Sequence, residues 1–411
     1  YTEGFHIVMP WNRLYVYDLR LKQTPHTVLA LCKNGLPVEI EVSIRHRPTY
    51  PSLPLLHTVV GPNYVEVVVK PEIEAHVRAT VSQFDPAELF GSAGSRDRVA
   101  AAHGCQALAD PGELVGRAEA VVIAAPTALH TQVALPLLEA GIDLLVEKPL
   151  AVTVDDARLI AATARRLGRT VSVGHVERFN PAWVAAAART GEASFVETRR
   201  LAPFTFRSLD AGVVHDLMIH DIDLVLSLAP GRLERVEAHG LVAAGGHEDA
   251  VRARLVFDSG LVADLAASRI SPRAERTVSL WGTGGMVAVD LTAKTVEVVA
   301  PSDEVRAGRF DAAGVPAAER PALKDRFFTD ILPRETVGVS DANAIAGEHD
   351  DLLTAIRTGG EPVVSATAGA LAVEVAARVL EALDCTHLGG GRHAGRPRPA
   401  TIPLFPRRKT G

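Results

Sequence analysis

Ile142-Asp143-Leu144-Leu145-Val146-Glu147-Lys148-Pro149-Leu150 decides the fold class. A short apolar run follows Gly141 and ends at a charged pair. That pattern predicts a buried strand that delivers Glu147 and Lys148 to its C-terminal end, where open α/β sheets bind ligands. Two runs downstream carry further chemistry: Gly174-His175-Val176-Glu177-Arg178-Phe179-Asn180-Pro181-Ala182 and Asp216-Leu217-Met218-Ile219-His220-Asp221-Ile222-Asp223. The last reads as a helix, with Leu217, Met218, Ile222, Leu224 and Val225 as its apolar stripe. Asp216, His220 and Asp223 then share a neighbouring face at i, i+4 and i+7. A Lys, an Asp and a His from separate elements suit a proton-coupled reaction at a carbinol carbon. His titrates near neutrality and can take the hydroxyl proton, while Lys polarises the developing carbonyl oxygen.

These three ordered runs resemble the Gfo/Idh/MocA family of nicotinamide-dependent sugar oxidoreductases, over roughly Gly94 to Leu383. The resemblance implies that Lys148, Asp216 and His220 are catalytic, that Glu147 and Lys148 sit beside the nicotinamide of NAD or NADP, and that Arg178 and Asn180 touch substrate. Pro126-Thr127-x-x-His130 is similar to the family's loop bordering the dinucleotide, which makes Pro126, Thr127 and His130 cofactor contacts by resemblance. The Gly-His-x-Glu-Arg-Phe-Asn-Pro-Ala form is similar to members that oxidise UDP-N-acetylhexosamines at C3, so a nucleotide-sugar substrate is implied. The family also implies a homo-oligomer that uses the free face of its C-terminal sheet.

At 411 residues, with 47% hydrophobic and 22% charged residues, the chain has room for two or three globular domains. A net charge of −6, with no basic run beside aromatics, argues against a nucleic-acid surface. Cys32, Cys105 and Cys385 are scattered and form no Cys-x-x-Cys pair, which fits a cytoplasmic, reducing compartment and no structural zinc. His215 and His220 are five apart and point to different helix faces, so no metal is expected there. No apolar run reaches the ~20 residues that span a bilayer. The first residue is Tyr, so the sequence is read as starting inside a longer frame.

Residues 1–90 read differently from the rest. Arg13–Leu19 alternates like a strand, and Val38–Arg47 more cleanly, with Val38, Ile40, Val42 and Ile44 on one face. Asn34-Gly35 marks the turn before it. Tyr64–Ala79 reads as a helix with Pro71 near its first turn. Glu3-Gly4-Phe5-His6, Asn34-Gly35-Leu36-Pro37-Val38, Arg45-x-Arg47-Pro48, Gly61-Pro62-Asn63-Tyr64-Val65 and Gln83–Phe90 resemble a stomatin/prohibitin-type (SPFH) domain. That resemblance implies an oligomerising scaffold anchored to a membrane by a segment ahead of the domain.

From Ser95 the dehydrogenase pattern starts partway through. Arg96–His103 is a short helix ended by Gly104, Glu119–Ala125 a buried strand, and His130–Ala140 a helix. A Rossmann domain also needs an earlier strand, a Gly-x-Gly-x-x-Gly turn, a helix and an acidic residue. Upstream of Arg96 no such turn exists: Gly91-Ser92-Ala93-Gly94 has the wrong spacing, and Gly282-Thr283-Gly284-Gly285 reads as a sheet turn far downstream.

The expected architecture is therefore α/β plus α+β. A small SPFH-like domain (1–90) precedes a Rossmann-like parallel sheet lacking its first β-α-β unit (91–173). An open antiparallel sheet backed by helices follows (174–385), with a disordered Arg-rich tail (386–411). Its strands are expected at Ala193–Arg200, Val236–Leu241, Ala250–Phe257, Leu261–Ala267, Thr277–Trp281, Gly285–Leu291 and Thr295–Val299, and its closing helices at Glu348–Arg357 and Thr367–Leu383. Loss of the glycine turn predicts weak NAD binding. Three functions stay open: a dehydrogenase module, a membrane-associated scaffold carrying an inert dehydrogenase, and an artefactual fusion of two genes.

Overall fold

The computed structural model describes residues 15, 17–32, 36–82, 100–101, 103–189, 193–205, 208, 211–244 and 246–388. The chain divides into two compact units, Tyr1–Ala107 and Leu108–Gly411.

In the first unit, β1 (Lys22–Leu31) pairs antiparallel with β2 (Pro37–His46), from Lys22↔His46 to Leu31↔Pro37. Val38 and Ile44 of β2 are buried and Ile40 and Val42 half-buried, while Glu39, Glu41, Ser43 and Arg45 face solvent, as the alternation requires. β1 escaped the sequence reading because its inward positions mix polar Thr24 and His26 with Val28 and Ala30. After α1 (Leu53–Val59), a π-helical turn, Val65–Val69, runs into α2 (Lys70–Val81), with Pro71 in the first turn of α2. Ala30, Cys32, Val38 and Val81 form the small core, and His26 Nε2 meets Glu74 Oε1 at 2.8 Å across it. Tyr15 and Tyr17–Leu19 are not a strand; they join no ladder, which is what would satisfy a strand's backbone groups. Asn34-Gly35, Gly91–Gly94 and most of the expected helix at 96–103 lie outside the described residues, as does the tail from 389. Ala100 and Ala101 are helical, and Gly104 takes φ +64°, the left-handed geometry of a residue past a helix end.

The second unit opens on a parallel sheet, β3 (Ala120–Ile123), β4 (Asp143–Glu147) and β5 (Val171–Gly174), in the order β3-β4-β5. Its crossovers are α3 (His130–Glu139) and α4 (Val154–Leu167). α4 starts where Thr153 Oγ1 accepts from Asp156 N at 3.1 Å, and it carries Asp155 and Asp156 at its start and Arg165 and Arg166 at its end. Among the described residues β3 pairs only with β4, and Val122 is half exposed. An interior strand of a complete doubly wound sheet is covered on both faces.

A nine-stranded sheet follows, in the order β13-β12-β11-β10-β6-β9-β8-β7-β14. Its strands are β6 (Ala193–Leu201), β7 (Leu233–Val242), β8 (Ala250–Phe257), β9 (Val262–Ser268), β10 (Glu275–Gly282), β11 (Gly285–Asp290), β12 (Thr295–Val299), β13 (Arg334–Val337) and β14 (Leu383–His387). The sheet is mixed rather than purely antiparallel: β6 runs parallel to β9, and β7 to β14. In β8 the odd positions Val251, Ala253, Leu255 and Phe257 are buried, and Arg252 and Arg254 are exposed. The glycine pair Gly282↔Gly285 closes the β10–β11 hairpin. α5 (Pro181–Ala187), α6 (Ile219–Leu226), α7 (Ala344–Thr358) and α8 (Ala366–Ala382) pack on these sheets. α8 contacts α4, α6 and β7, so one helix forms a wall shared by both sheets. No helix among the described residues is long and apolar enough to cross a membrane.

Candidate active site

Asp143 to Val146 are buried, so β4 ends by projecting Glu147 and Lys148 at its C-terminal edge. Glu147 pairs with Gly174 across to β5, and a Cβ at Gly174 would stand 2.8 Å from Glu147 Oε2 and 3.1 Å from its Cα. A side chain there would push the Glu147 carboxylate aside and crowd its backbone. Lys148 Nζ donates to Asp216 O at 2.7 Å and to Asp216 Oδ1 at 3.3 Å, and the Lys148–Pro149 bond is cis.

Asp216 lies in a π-helical turn, Val214–Met218, that runs into α6. Glu248 Oε1 accepts from Val214 N at 3.1 Å and secures the start of that turn. Met218, Ile219, Ile222, Leu224 and Val225 are buried, which pins the helix and the half-buried His220 on it. Burial holds the His220 pKa well below its ordinary value, and the charges of Lys148 and Arg200 push the same way. His220 is therefore neutral at physiological pH and able to accept a proton. The expectation that Asp216 orients His220 differs from what is found, since the Asp216 carboxylate bonds Lys148. The widened turn spoils the simple i, i+4 stacking on which that expectation relied.

Beneath His220 lies a buried ionic network that sequence reading missed. Arg200, 3% exposed, donates to Asp221 Oδ1 from Nε (3.0 Å) and Nη2 (2.8 Å), and from Nη1 to Glu177 Oε1 (2.9 Å). Burial raises the Asp221 pKa, and Arg200 opposes that rise. β6, α6 and the turn after β5 are thus tied by one guanidinium. Glu177 and Asp221 stood inside the quoted runs, but nothing in sequence singled out Arg200.

Asn180, expected to touch substrate, is buried, and its amide is engaged by protein. Nδ2 donates to Glu177 Oε2 and Leu291 O, both at 3.0 Å, while Oδ1 accepts from Ala182 N at 3.1 Å. It caps α5, whose first residue is Pro181. Arg178 donates to Asp223 Oδ1 at 3.4 Å and to Val363 O at 3.2 Å. His130, expected beside the cofactor, is 1% exposed and spans backbone carbonyls, with Nδ1 3.0 Å from Pro149 O and Nε2 2.9 Å from Ala125 O. It clamps the Lys148-Pro149 loop to the end of β3. Thr127 lines an open groove of ≈ 510 Å³ along α3, with Gln132, Val152 and Asp156. That groove does not include Lys148 or His220.

Glu348 of α7 is 2% exposed, and its Oε1 has no hydrogen-bond partner. Burial, with the carboxylates of Glu147 and Asp351, pushes its pKa up from 4.5 to about 7. With the folded pKa above the unfolded one, Glu348 favours the folded state fully below pH 4.5, and this contribution is lost as pH rises through 7. Glu348→Gln is therefore expected to stabilise the unit by up to about 3 kcal/mol at pH 8. At pH 4 it should change nothing. Thermal melts at the two pH values check this, and equal shifts at both would refute it.

The described residues fit one half of a nicotinamide dinucleotide site. Lys148, Glu147 and the Pro126-Thr127 loop stand at the C-terminal ends of β3 and β4, where such a ring would lie. They do not fit the other half. No Gly-x-Gly-x-x-Gly turn occurs among them, and residues 65–81 are helical rather than strand, glycine turn and helix.

Residues 59–175 match the oxidoreductase family with an NAD-binding Rossmann fold (GFO_IDH_MocA), and residues 182–288 match the GFO/IDH/MocA C-terminal domain. Residues 1–106 match the SPFH domain / Band 7 family, so 59–106 are claimed by both. The chain is 30% identical to UDP-N-acetylglucosamine 3-dehydrogenase of Acidithiobacillus ferrooxidans over 287 residues, covering 70% of this chain and 85% of that protein. A solved structure of that enzyme aligns with TM-score 0.61 at 29% identity, over 71% of this chain and 87% of the other. The scyllo-inositol 2-dehydrogenase (NAD(+)) of Bacillus subtilis is 29% identical over 200 residues, 45% of this chain and 57% of that protein. Levoglucosan dehydrogenase, solved with NADH and levoglucosan, shares the fold at 18% identity and TM-score 0.58, over 71% of this chain and 85% of the other. With its lysine, aspartate and histidine gathered where β4 ends, and with these matches running through both sheets, the chain belongs to the Gfo/Idh/MocA oxidoreductase family.

Proposed function

We propose that the second unit is an NAD(P)-dependent dehydrogenase module for a nucleotide-activated amino sugar, with cofactor affinity weakened because no phosphate-binding glycine turn stands among the described residues. The observation that carries the reading is the Lys148 Nζ bond to Asp216 beside a neutral His220 at the C-terminal edge of β4. In it His220 takes the proton of the sugar hydroxyl, and Lys148, held by Asp216, steadies the oxygen as it becomes a carbonyl. Nicotinamide, when bound, supplies the hydride acceptor. Arg178, which pairs with Asp223, is the cation that would meet a substrate anion in this reading. The UDP-sugar assignment follows the 30% identical relative and the Gly174–Ala182 run.

The glycine turn would bring several charge-assisted hydrogen bonds to the pyrophosphate, each worth about 1.5–3 kcal/mol. Losing even three weakens binding by roughly 10³-fold or more. Calorimetric titration of the full chain is therefore expected to give a millimolar or weaker NAD dissociation constant, and a micromolar value would overturn the impairment. Oxidation of UDP-N-acetylglucosamine at saturating NAD, followed as NADH absorbance, tests the activity itself. Complete inertness across nucleotide sugars would favour the second reading, a scaffold carrying a silent dehydrogenase, for which the SPFH match of residues 1–106 is the supporting observation. In that reading, as in the first, the chain is expected to form homo-oligomers.

A further inference from the structure

His175 follows β5 and has no part in the chemistry above. It is 1% exposed, yet neither of its ring nitrogens has a hydrogen-bond partner in the protein. Each buried polar atom left in that condition costs about 1–3 kcal/mol. Two further orphans belong to residues acting on the same ring. His220 Nδ1 is buried without a partner, and its ring stands edge-on to His175, centroids 6.3 Å apart at 87°. Asp223 uses Oδ1 for Arg178 and leaves Oδ2 buried and unpaired, while its carboxylate interacts electrostatically with His175. The exit of β5 and two positions of α6 therefore leave unpaired polar atoms on the His175 ring and on two residues that act on it. A direct N–H···N bond of about 3 Å does not fit rings so far apart, but one water making two bonds of ~2.8 Å spans the gap. A buried water needs two to four such partners, and this cluster offers three residues.

We propose that His175 is a positioning residue: with Asp223 it holds one buried water against His220 Nδ1 and so fixes His220 as the Nδ1–H tautomer. The water accepts the Nδ1 hydrogen and donates its own two hydrogens to a ring nitrogen of His175 and to Asp223 Oδ2. Nδ1 being the interior nitrogen, Nε2 faces the crevice and keeps its lone pair. When the substrate O–H bond breaks, its proton forms Nε2–H and the ring becomes a cation. The Nδ1–H bond to the water, backed by the Asp223 carboxylate, then offsets that charge. Burial holds the His175 pKa down, so the second imidazole stays neutral and does not repel the first. Only this proton-accepting step rests on the dehydrogenase reading; the tautomer is a property of the folded chain.

Nitrogen-15 spectroscopy of the full chain, labelled on histidine, reads the tautomer without any turnover. The His220 signals are identified by their loss in His220→Gln. The parent is expected to show a protonated Nδ1 and a bare Nε2 near neutral pH. His175→Leu should lose that preference, and His175→Gln, which keeps an acceptor in place, should restore it. A parent with its proton on Nε2 overturns the proposal even if the leucine variant fails to fold, and so does a folded leucine variant with the parental tautomer. In assays at saturating NAD, His175→Leu is expected to lose roughly ten- to a hundred-fold in kcat with KM within about two-fold. A changed tautomer with kcat intact would keep the water site and overturn the role given to His220.

Discussion

Replacing His220 by alanine is expected to lower turnover by roughly 10²–10⁴-fold at saturating cofactor, with KM for the sugar little changed. The magnitude is that of a positioned base, and the split follows because a base acts in the transition state more than in the bound ground state. The pH profile carries a second signature. Since burial and the Lys148 charge depress the His220 pKa, the fraction able to accept a proton stays near one as pH falls through 6.5, and the rate should decline only well below it. Lys148→Met removes one of the charges responsible, so whatever activity remains should have its acid limb displaced to higher pH. An alanine variant as fast as the parent, measured as NADH absorbance across pH, would remove His220 from the mechanism.

Arg200→Met should be the most damaging single change to stability. The guanidinium is the shared partner of Glu177 and Asp221, both buried. Removing one member of such a network typically costs about 3–5 kcal/mol, because the remaining carboxylates are stranded. For a unit spanning Leu108–Gly411 that corresponds to a fall in Tm of about 5–8 °C. Adding Asp221→Asn to the methionine variant should return part of the loss, since it removes one stranded charge. A variant that melts with the parent would mean the network carries no net stabilisation. Because Asp221 neighbours His220 on α6, kcat should fall as well, through misplacement of the base rather than its loss.

What could be read in advance followed from how local each signal is. β4 announced itself through an apolar run ended by Glu147-Lys148, and β8 through alternation of Val251, Ala253 and Leu255 with arginines, since burial imposes those periods directly. β1 and β13 did not, because their inward or paired positions carry polar residues and only a neighbouring strand makes them strands. The parallel contacts of β6 with β9 and β7 with β14 join segments distant in sequence, where no local pattern records the pairing. Within the site, Lys148, Asp216 and His220 were legible because they stand in compact runs, and Lys148 does meet Asp216. Arg200 and the caged ring of His175 were not, because their importance lies in what surrounds them. Asn180 and His130 show the converse: both sit in motif positions, yet their polar atoms serve α5 and the loop after β4.

The extra residue wound into Val214–Met218 has a genetic corollary. An in-frame loss of one codon within that segment would let the backbone settle into ordinary α-helix and leave the helix that follows in phase. His220 and Asp221 would keep their places, but the turn that presents Asp216 to Lys148 would be rewound. Silencing of the chemistry by so small a lesion, in a chain still of nearly full length, would come without any substitution at a reacting residue.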